Sequence, residues 1–476
     1  MPYIPFTEEQ KRRANSMDLA EFLRRQGETL LRSGAEYRLA SDHSVTVRGS
    51  QWYDHASREG GGPVSFLQTF RGLSYPEAVT ELLDAGQSQA PPKQTARDMP
   101  KEFALPPASP TRRRLYAYLL QQRLIGREIL DAFVKRGMIY ESCEQSRDGT
   151  KEYHNAVFVG TDENGKARHA HKRGLYTQGK SFRGNVEGSD RRCSFHWFGH
   201  SGRLYVFEAP IDLLAFLTLN PEAWKEHSYV SLCGTAEHAM LWMLEKDPNL
   251  QKIVLCLDHD KAGIEAAGRL TDLLAERGYS DVAILSSACK DWDEDLKAKH
   301  GLPAQPAEEH PQLEAAGPVC GRIAVQCEAA EPEQALEQMS VLLTRFREGL
   351  HQGELEVAAD CAEEMAALSL AVVLRECRQM GTALTTKQGA GYLQSQIHPH
   401  RNRGGWDRRA AEITDLAQEA IRKSEQPGVR TETEKREIAG AWLELSAACT
   451  NAAVKYEAEQ LEQRPEQEQA IQQEMG

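Results

Sequence analysis

The chain has 476 residues, 40% of them hydrophobic, a formal net charge of -13 and ten cysteines. Three or four domains with cores of their own fit that length, and the acidic balance excludes a general polyanion binder, so any contact with nucleic acid has to be local. Without a secretory signal pattern, a long apolar span, close cysteine pairs or an internal repeat, the chain reads as a reduced, cytoplasmic protein that does not enter a membrane.

In chain order, residues 1–86 run from DLAEFLRRQG through a segment of alternating character around SVTVRGSQWYDH to GGGPVSFLQTFRGLSYPEAVTELL, and are expected to form one domain. Tyr37, Trp52, Tyr53 and Phe66 should pack its core. The first cysteine is Cys143, so this region offers only His43 and His55 as nitrogen ligands, and no zinc is expected there. Residues 87–110, dense in Pro, Gln and Ala, read as an extended linker.

Residues 111–200 begin with apolar positions at helical spacing, which predict two amphipathic helices. A basic β segment follows. Between Asn164 and Val186 the chain carries Lys166, Arg168, Lys172, Arg173, Lys180 and Arg183 without one acid. Beside Tyr176 and Phe182 these cations suit a groove that follows a nucleic-acid backbone, although a solvated basic hairpin has the same composition. Gly174 to Ser181 also satisfies the phosphate-loop pattern, but neither a buried strand before it nor a helix after it is expected, so an ATPase is not.

Residues 201–301 alternate short apolar strands with helices, which implies a parallel sheet with right-handed crossovers. Leu204–Phe207 ends in Glu208, with Asp212 a turn further on, and Ile253–Leu257 ends in Asp258 and Asp260. A later strand delivers Lys290, Asp291 and Asp293. Side chains two apart on an extended backbone share a face, and α/β sheets bind ligands beyond the carboxyl ends of their strands. Asp258 and Asp260 therefore suit a divalent cation, the alternative being that they cap the helix that follows. Residues 302–318 read as a second linker and 319–476 as an all-helical domain with a frayed, Gln/Glu-rich tail. Within it, His398, His400, Arg401, Arg403, Trp406, Arg408 and Arg409 form a polar loop, a nucleic-acid patch or a zinc site.

The ordered set Glu208/Asp212, Gly234-Thr235, Asp258-His259-Asp260-Lys261-Ala262-Gly263 and Lys290-Asp291-Trp292-Asp293 resembles the Toprim domain, most closely that of bacterial replicative primases, with Ala209 replacing the glycine of the first block. The amino-terminal landmarks resemble the primase zinc-binding domain without its ligands, and the helices before Toprim resemble proteins of conjugative and other mobile elements. The resemblance implies a multidomain α/β protein: a Rossmann-like parallel Toprim core, an α+β amino-terminal domain and an all-α carboxyl-terminal domain. It further implies that Glu208 is general base or metal ligand, that Asp258 and Asp260 bind Mg²⁺ (or Mn²⁺), that Asp212, Asp291 and Asp293 complete the acidic set, and that Lys261 faces phosphate. Lys172, Arg173, Lys180 and Arg183 would then hold single-stranded DNA. The activity implied is primer synthesis from nucleoside triphosphates, with a helicase or other replication partner at the helical domain. A Toprim nuclease and a binding protein without turnover remain as alternatives.

Overall fold

The computed structural model describes residues 6–26, 28–33, 36–39, 45–54, 60–71, 75–86, 102–146, 150–176, 182–402, 405–425 and 430–474. Two compact units divide the chain, residues 1–99 and 100–476. His43, His55, Lys180, Arg403 and most of the first linker lie outside the described residues.

In the first unit, α1 (Glu8–Asn15) and α2 (Leu19–Arg25) precede an antiparallel sheet of β1 (Leu30–Ser33), β2 (Glu36–Leu39), β3 (Val45–Arg48), β4 (Gln51–Asp54) and β5 (Gly60–Gly61), followed by α3 (Pro63–Arg71) and α4 (Tyr75–Gly86). Asp18 caps α2 by accepting the Glu21 N–H at 2.8 Å. Trp52 and Phe66 are buried at the centre of the core, and the Trp52 indole donates to Ser65 Oγ at 3.0 Å. Tyr53, expected in that core, points outward and is 43% exposed, because alternation along β4 gives the inner face to Trp52.

The second unit opens with α5 (Arg113–Tyr116), which runs into a π-helical turn at Ala117–Gln122, then α6 (Arg127–Lys135). α6 buries Ile129, Leu130, Phe133 and Val134, and Phe133 stacks on Trp224 at 5.7 Å between ring centres. An antiparallel meander follows: β6 (Ile139–Gln145), β7 (Glu152–Thr161), β8 (Ala167–Gly174) and β9 (Arg183–Asn185).

A second sheet has the order β10 (His196–Trp197), β12 (Ser228–Ser231), β11 (Arg203–Phe207), β13 (Lys252–Leu255), β14 (Asp281–Ile284). All its pairings are parallel except that of β10. β11 is the central strand, and the chain passes from β12 on one side of it to β13 on the other, so the carboxyl ends of β11 and β13 flank a topological switch point. Helices α7 (Pro210–Leu219), α8 (His238–Lys246), α9 (Lys261–Glu276) and α10 (Trp292–Lys299) connect and follow the strands.

The remaining helices are α11 (Pro311–Ala329), α12 (Ala335–Gln352), α13 (Leu355–Gln379), α14 (Thr386–Ser395), α15 (Trp406–Ser424) and α16 (Glu432–Glu474). α11 starts inside the segment read as a linker, with Pro311 in its first turn, where a missing N–H costs nothing, and Pro318 inside it. The tail expected to fray is helical to Glu474. A core of small and medium side chains on α11, α13 and α16, with Phe346, Met365 and Trp442, unites the bundle. The fold is thus an α/β core with a parallel sheet, flanked by an α+β amino-terminal region and a helical carboxyl-terminal region. Among the described residues, no helix is long and apolar enough to cross a membrane.

Candidate active site at the sheet's carboxyl edge

α7 is apolar and buried along most of its length, so the acid it carries one turn in, Asp212, is buried with it. Glu208 stands just before α7, and its carbonyl accepts the Gly234 N–H at 3.2 Å, which places the Gly-Thr turn against the same strand end. β13 stops at Leu255, two residues short of the apolar run, and Asp258 and Asp260 sit in the loop beyond it. Asp260 caps α9 through the Gly263 N–H at 3.0 Å. The capping alternative therefore describes Asp260, but not Asp258, whose Oδ1 is buried without a partner. Gly263 makes this approach possible: a Cβ there would lie 2.0 Å from the Asp258 carbonyl oxygen.

From α10 come Asp291, which caps the helix by accepting the Glu294 N–H at 2.8 Å, and Asp293, whose N–H donates to Asp212 Oδ1 at 3.2 Å. Asp293 also pairs with Arg123, from the end of the π-helical turn, and with Lys297 at 3.1 Å. Among the described residues, Asp291, Asp293 and Glu294 are the carboxylates that bring three ligand oxygens within 4.8 Å of one another. Glu294 is committed to Lys297 at 2.5 Å and to the Gln305 N–H at 2.9 Å. Glu208, Asp212, Asp258 and Asp260 do not close into so tight a group, yet they act on one another.

Burial first, then Asp260, raises the Glu208 carboxyl above its ordinary range. Burial and the Asp258, Asp291 and Asp293 charges raise Asp212 far more. Asp258 is pushed up to about 8 by burial and by Glu208, Asp291 and Asp260, against the pull of Lys290. Burial also raises Asp291. A cluster that so disfavours its own ionised form, with a buried oxygen of Asp258 and one of Asp293 unpartnered, is chemically fitted to a hard divalent cation.

The basic residues divide. Arg183 on β9 is exposed and close enough to Glu208 to draw its carboxyl downward. Lys172 is held by Glu144 at 2.8 Å and lies 5.6 Å from the centre of the Phe182 ring. Arg173 has a buried Nε without a partner. Lys261, expected to face phosphate, instead pairs with Glu462 of α16, a residue 201 positions away. Lys290 stands nearer the acids, 3.6 Å from Asp260. Tyr176 and Phe182 are about half exposed. The phosphate-loop pattern begins at the end of β8, and the next described element is β9, a strand rather than a helix. His400 and Arg401 bind Asp272 on α9, and His398, Arg401, Arg408 and Arg409 line one cavity of about 570 Å³.

Arg123, Lys297 and Glu294 surround the site without having been singled out from sequence. Glu294 and Lys297 stood in view within the acidic run, whereas Arg123 lies 170 residues from Asp293 and gives no local signal.

A parallel α/β domain with an acidic site at the carboxyl edge of its sheet is thereby defined. Residues 205–296 match the family described as Toprim-like, and residues 117–201 match one described as a protein of unknown function, DUF3991. Residues 205–296 are thus a Toprim-like domain. An uncharacterized protein of Bacillus anthracis is 23% identical over 313 residues, covering 60% of this chain and 88% of that relative. Among solved structures, the primase fragment of the bacteriophage T7 primase-helicase protein aligns with a TM-score of 0.31 at 15% identity, over 55% of this chain and 90% of that one. The Aquifex aeolicus primase (zinc-binding and RNA polymerase domains) aligns with a TM-score of 0.25 at 14% identity, over 76% and 92%.

Proposed function

We propose that this protein is a Mg²⁺-dependent nucleotidyltransferase that builds primers on single-stranded DNA from nucleoside triphosphates, in the replication or transfer of a mobile element. The observation that carries the reading is Asp258: a carboxyl at the carboxyl edge of a parallel sheet, with one buried oxygen unpartnered and its pKa pushed up to about 8 beside Glu208, Asp260 and Asp291. Asp258 and Asp260 would hold the cation, with Asp212, Glu208 and Asp291 around it; Mn²⁺ suits the same oxygen donors. When bound, the ion neutralises phosphate charge and stabilises the attacking and leaving oxygens.

Glu208 takes the proton of the attacking 3′-hydroxyl, a task for which a carboxyl with a raised pKa is better matched than an ordinary one. Arg183 and Lys290 meet phosphates. Tyr176 and Phe182 offer ring faces for bases. Asp293, committed to Arg123 and Lys297, holds the edge of the site together. The helical bundle is where a helicase or other replication partner would dock.

One observation favours template binding without turnover: an amino-terminal region without a cysteine cannot build the cysteine-rich zinc site of the domain it resembles. A single experiment separates the readings. Labelled ribo- and deoxyribonucleotides are supplied on single-stranded DNA with Mg²⁺ or Mn²⁺, alongside a labelled strand that reports cleavage. Primer synthesis predicts de novo products that vanish in Asp258→Ala/Asp260→Ala. Cleavage alone moves the site to a nuclease, and DNA binding with neither reaction overturns the enzyme.

A further inference from the structure

A second constellation lies away from the acids, on the hairpin of β6 and β7. Residues two apart on a strand share a face, so Glu141 and Cys143 point the same way on β6, as do Glu152 and His154 on β7. The antiparallel register sets Cys143 directly opposite His154. Cys143 Sγ lies 3.6 Å from His154 Nε2, and Glu152 Oε2 lies 3.7 Å from that same nitrogen. The three potential ligand atoms are all within 4.8 Å of one another.

His154 is aimed. Its Nδ1 sits 2.7 Å from Glu141 Oε1, and Glu141, fully buried, accepts the Leu115 N–H at 3.1 Å through its other oxygen. With Nδ1–H given to a fixed carboxylate, Nε2 carries the lone pair and faces the thiol and Glu152, the carboxylate–histidine arrangement that supports a metal-bound imidazole. Tetrahedral zinc with bonds of about 2.0–2.3 Å sets sulfur and nitrogen about 3.6 Å apart, and nitrogen and carboxylate oxygen about 3.4 Å apart. The observed separations lie close to both.

We propose that Cys143, His154 and Glu152 form a zinc site, distinct from the Toprim acids, whose fourth position is open to a water molecule or to an anionic oxygen of a ligand. A cysteine nucleophile activated by His154 is the competing use of the same atoms. Glu152 favours the metal, since its carboxylate oxygen is a third ligand atom within 4.8 Å of the other two and has no part in a cysteine–histidine pair. The mixed sulfur, nitrogen and oxygen set selects zinc over the oxygen-preferring Mg²⁺. His154 and Glu152 also border a groove of about 790 Å³.

Cobalt reports such a site without reference to activity. Full-length protein, stripped with chelator and held in excess Mg²⁺ to occupy the acids, is titrated with Co²⁺. One equivalent should give a thiolate-to-cobalt charge-transfer band and intense tetrahedral d–d absorption, both erased by one equivalent of Zn²⁺. Cys143→Ser should abolish the charge-transfer band, and Glu141→Gln should weaken binding by about 10–100-fold. Glu152 is exposed, so Glu152→Gln tests the site without threatening the fold and should shift the titration to higher Co²⁺. Asp258→Asn/Asp260→Asn should retain the band. A native protein without the thiolate band, or a band that survives in Cys143→Ser, overturns the proposal.

Discussion

Asp258 holds a proton at neutral pH when no cation is bound, because burial and three neighbouring acids lift its pKa to about 8. In the unfolded chain the same carboxyl ionises near 3.8, so between these values the folded state binds more protons than the unfolded one. The contribution is complete below the unfolded value and is lost as pH rises through about 8. Two outcomes follow for melting followed by calorimetry. In chelator, the melting temperature should fall from pH 6 to 8.5, and Mg²⁺ should restore it by an amount that grows with pH. Asp258→Asn should flatten the slope and remove the Mg²⁺ response; a variant that keeps both would place the proton elsewhere. Beside it, Gly263→Ala would force a Cβ to within 2.0 Å of the Asp258 carbonyl, against backbone that cannot step aside. The helix must move, which should cost about 1–3 kcal/mol in chemical denaturation, and the Mg²⁺ response should be lost with the loop geometry.

At the scale of elements, the site depends on a helix outside the Toprim fold. The π-helical turn at Ala117–Gln122 delivers Arg123 to Asp293, which is 4% exposed. Arg123→Met leaves that buried carboxylate with Lys297 as its remaining cation, and should destabilise by up to about 3 kcal/mol, the low end for a broken buried pair. Adding Asp293→Asn should recover part of the loss in equilibrium unfolding, and a double variant no better than the single one would show that the pair is not coupled. The sequence shows the strands that carry the acids, because a short β-branched run ending in Asp-x-Asp has few other uses. It does not show the π-helical turn, whose apolar spacing is that of an ordinary amphipathic helix. Neither does it show Arg123 meeting Asp293 or Lys261 turning to Glu462, since such pairs depend on how separate elements dock. The Cys143–His154 pair lies between these cases: alternation along each strand is visible, but only the hairpin register sets the two side chains opposite each other.

Across the whole of residues 100–476, the helical bundle is fastened to the Toprim domain along α9. Against burial, which raises it, Arg401 and His400 hold Asp272 down to about 2. Arg401 donates to both Asp272 oxygens, at 2.7 and 2.6 Å, and His400 Nε2 lies 2.7 Å from one of them. The His400 ring also fills the space over Gly268, where a Cβ would lie 2.5 Å from its Nδ1. Nearby, buried Glu265 meets His310 at 3.1 Å, and Lys261 meets Glu462. A lowered carboxylate pKa stabilises above the ordinary value of 3.8 and ceases to do so as pH falls through about 2, so the Asp272 fastening is intact at neutral pH. Asp272→Asn keeps the shape of the side chain and removes its charge. Because the bonds are partly solvated, the global loss should be only about 1–2 kcal/mol. The local effect should be larger: amide hydrogen exchange in α9 and in residues 398–402 should quicken, while the first turn of α9 stays protected by Asp260 and the close contact at Gly263. The Mg²⁺ response should therefore survive. Unchanged exchange across both segments would mean that packing over Gly268, not the ion pair, fastens the bundle, and Gly268→Ala should then loosen it where Asp272→Asn did not.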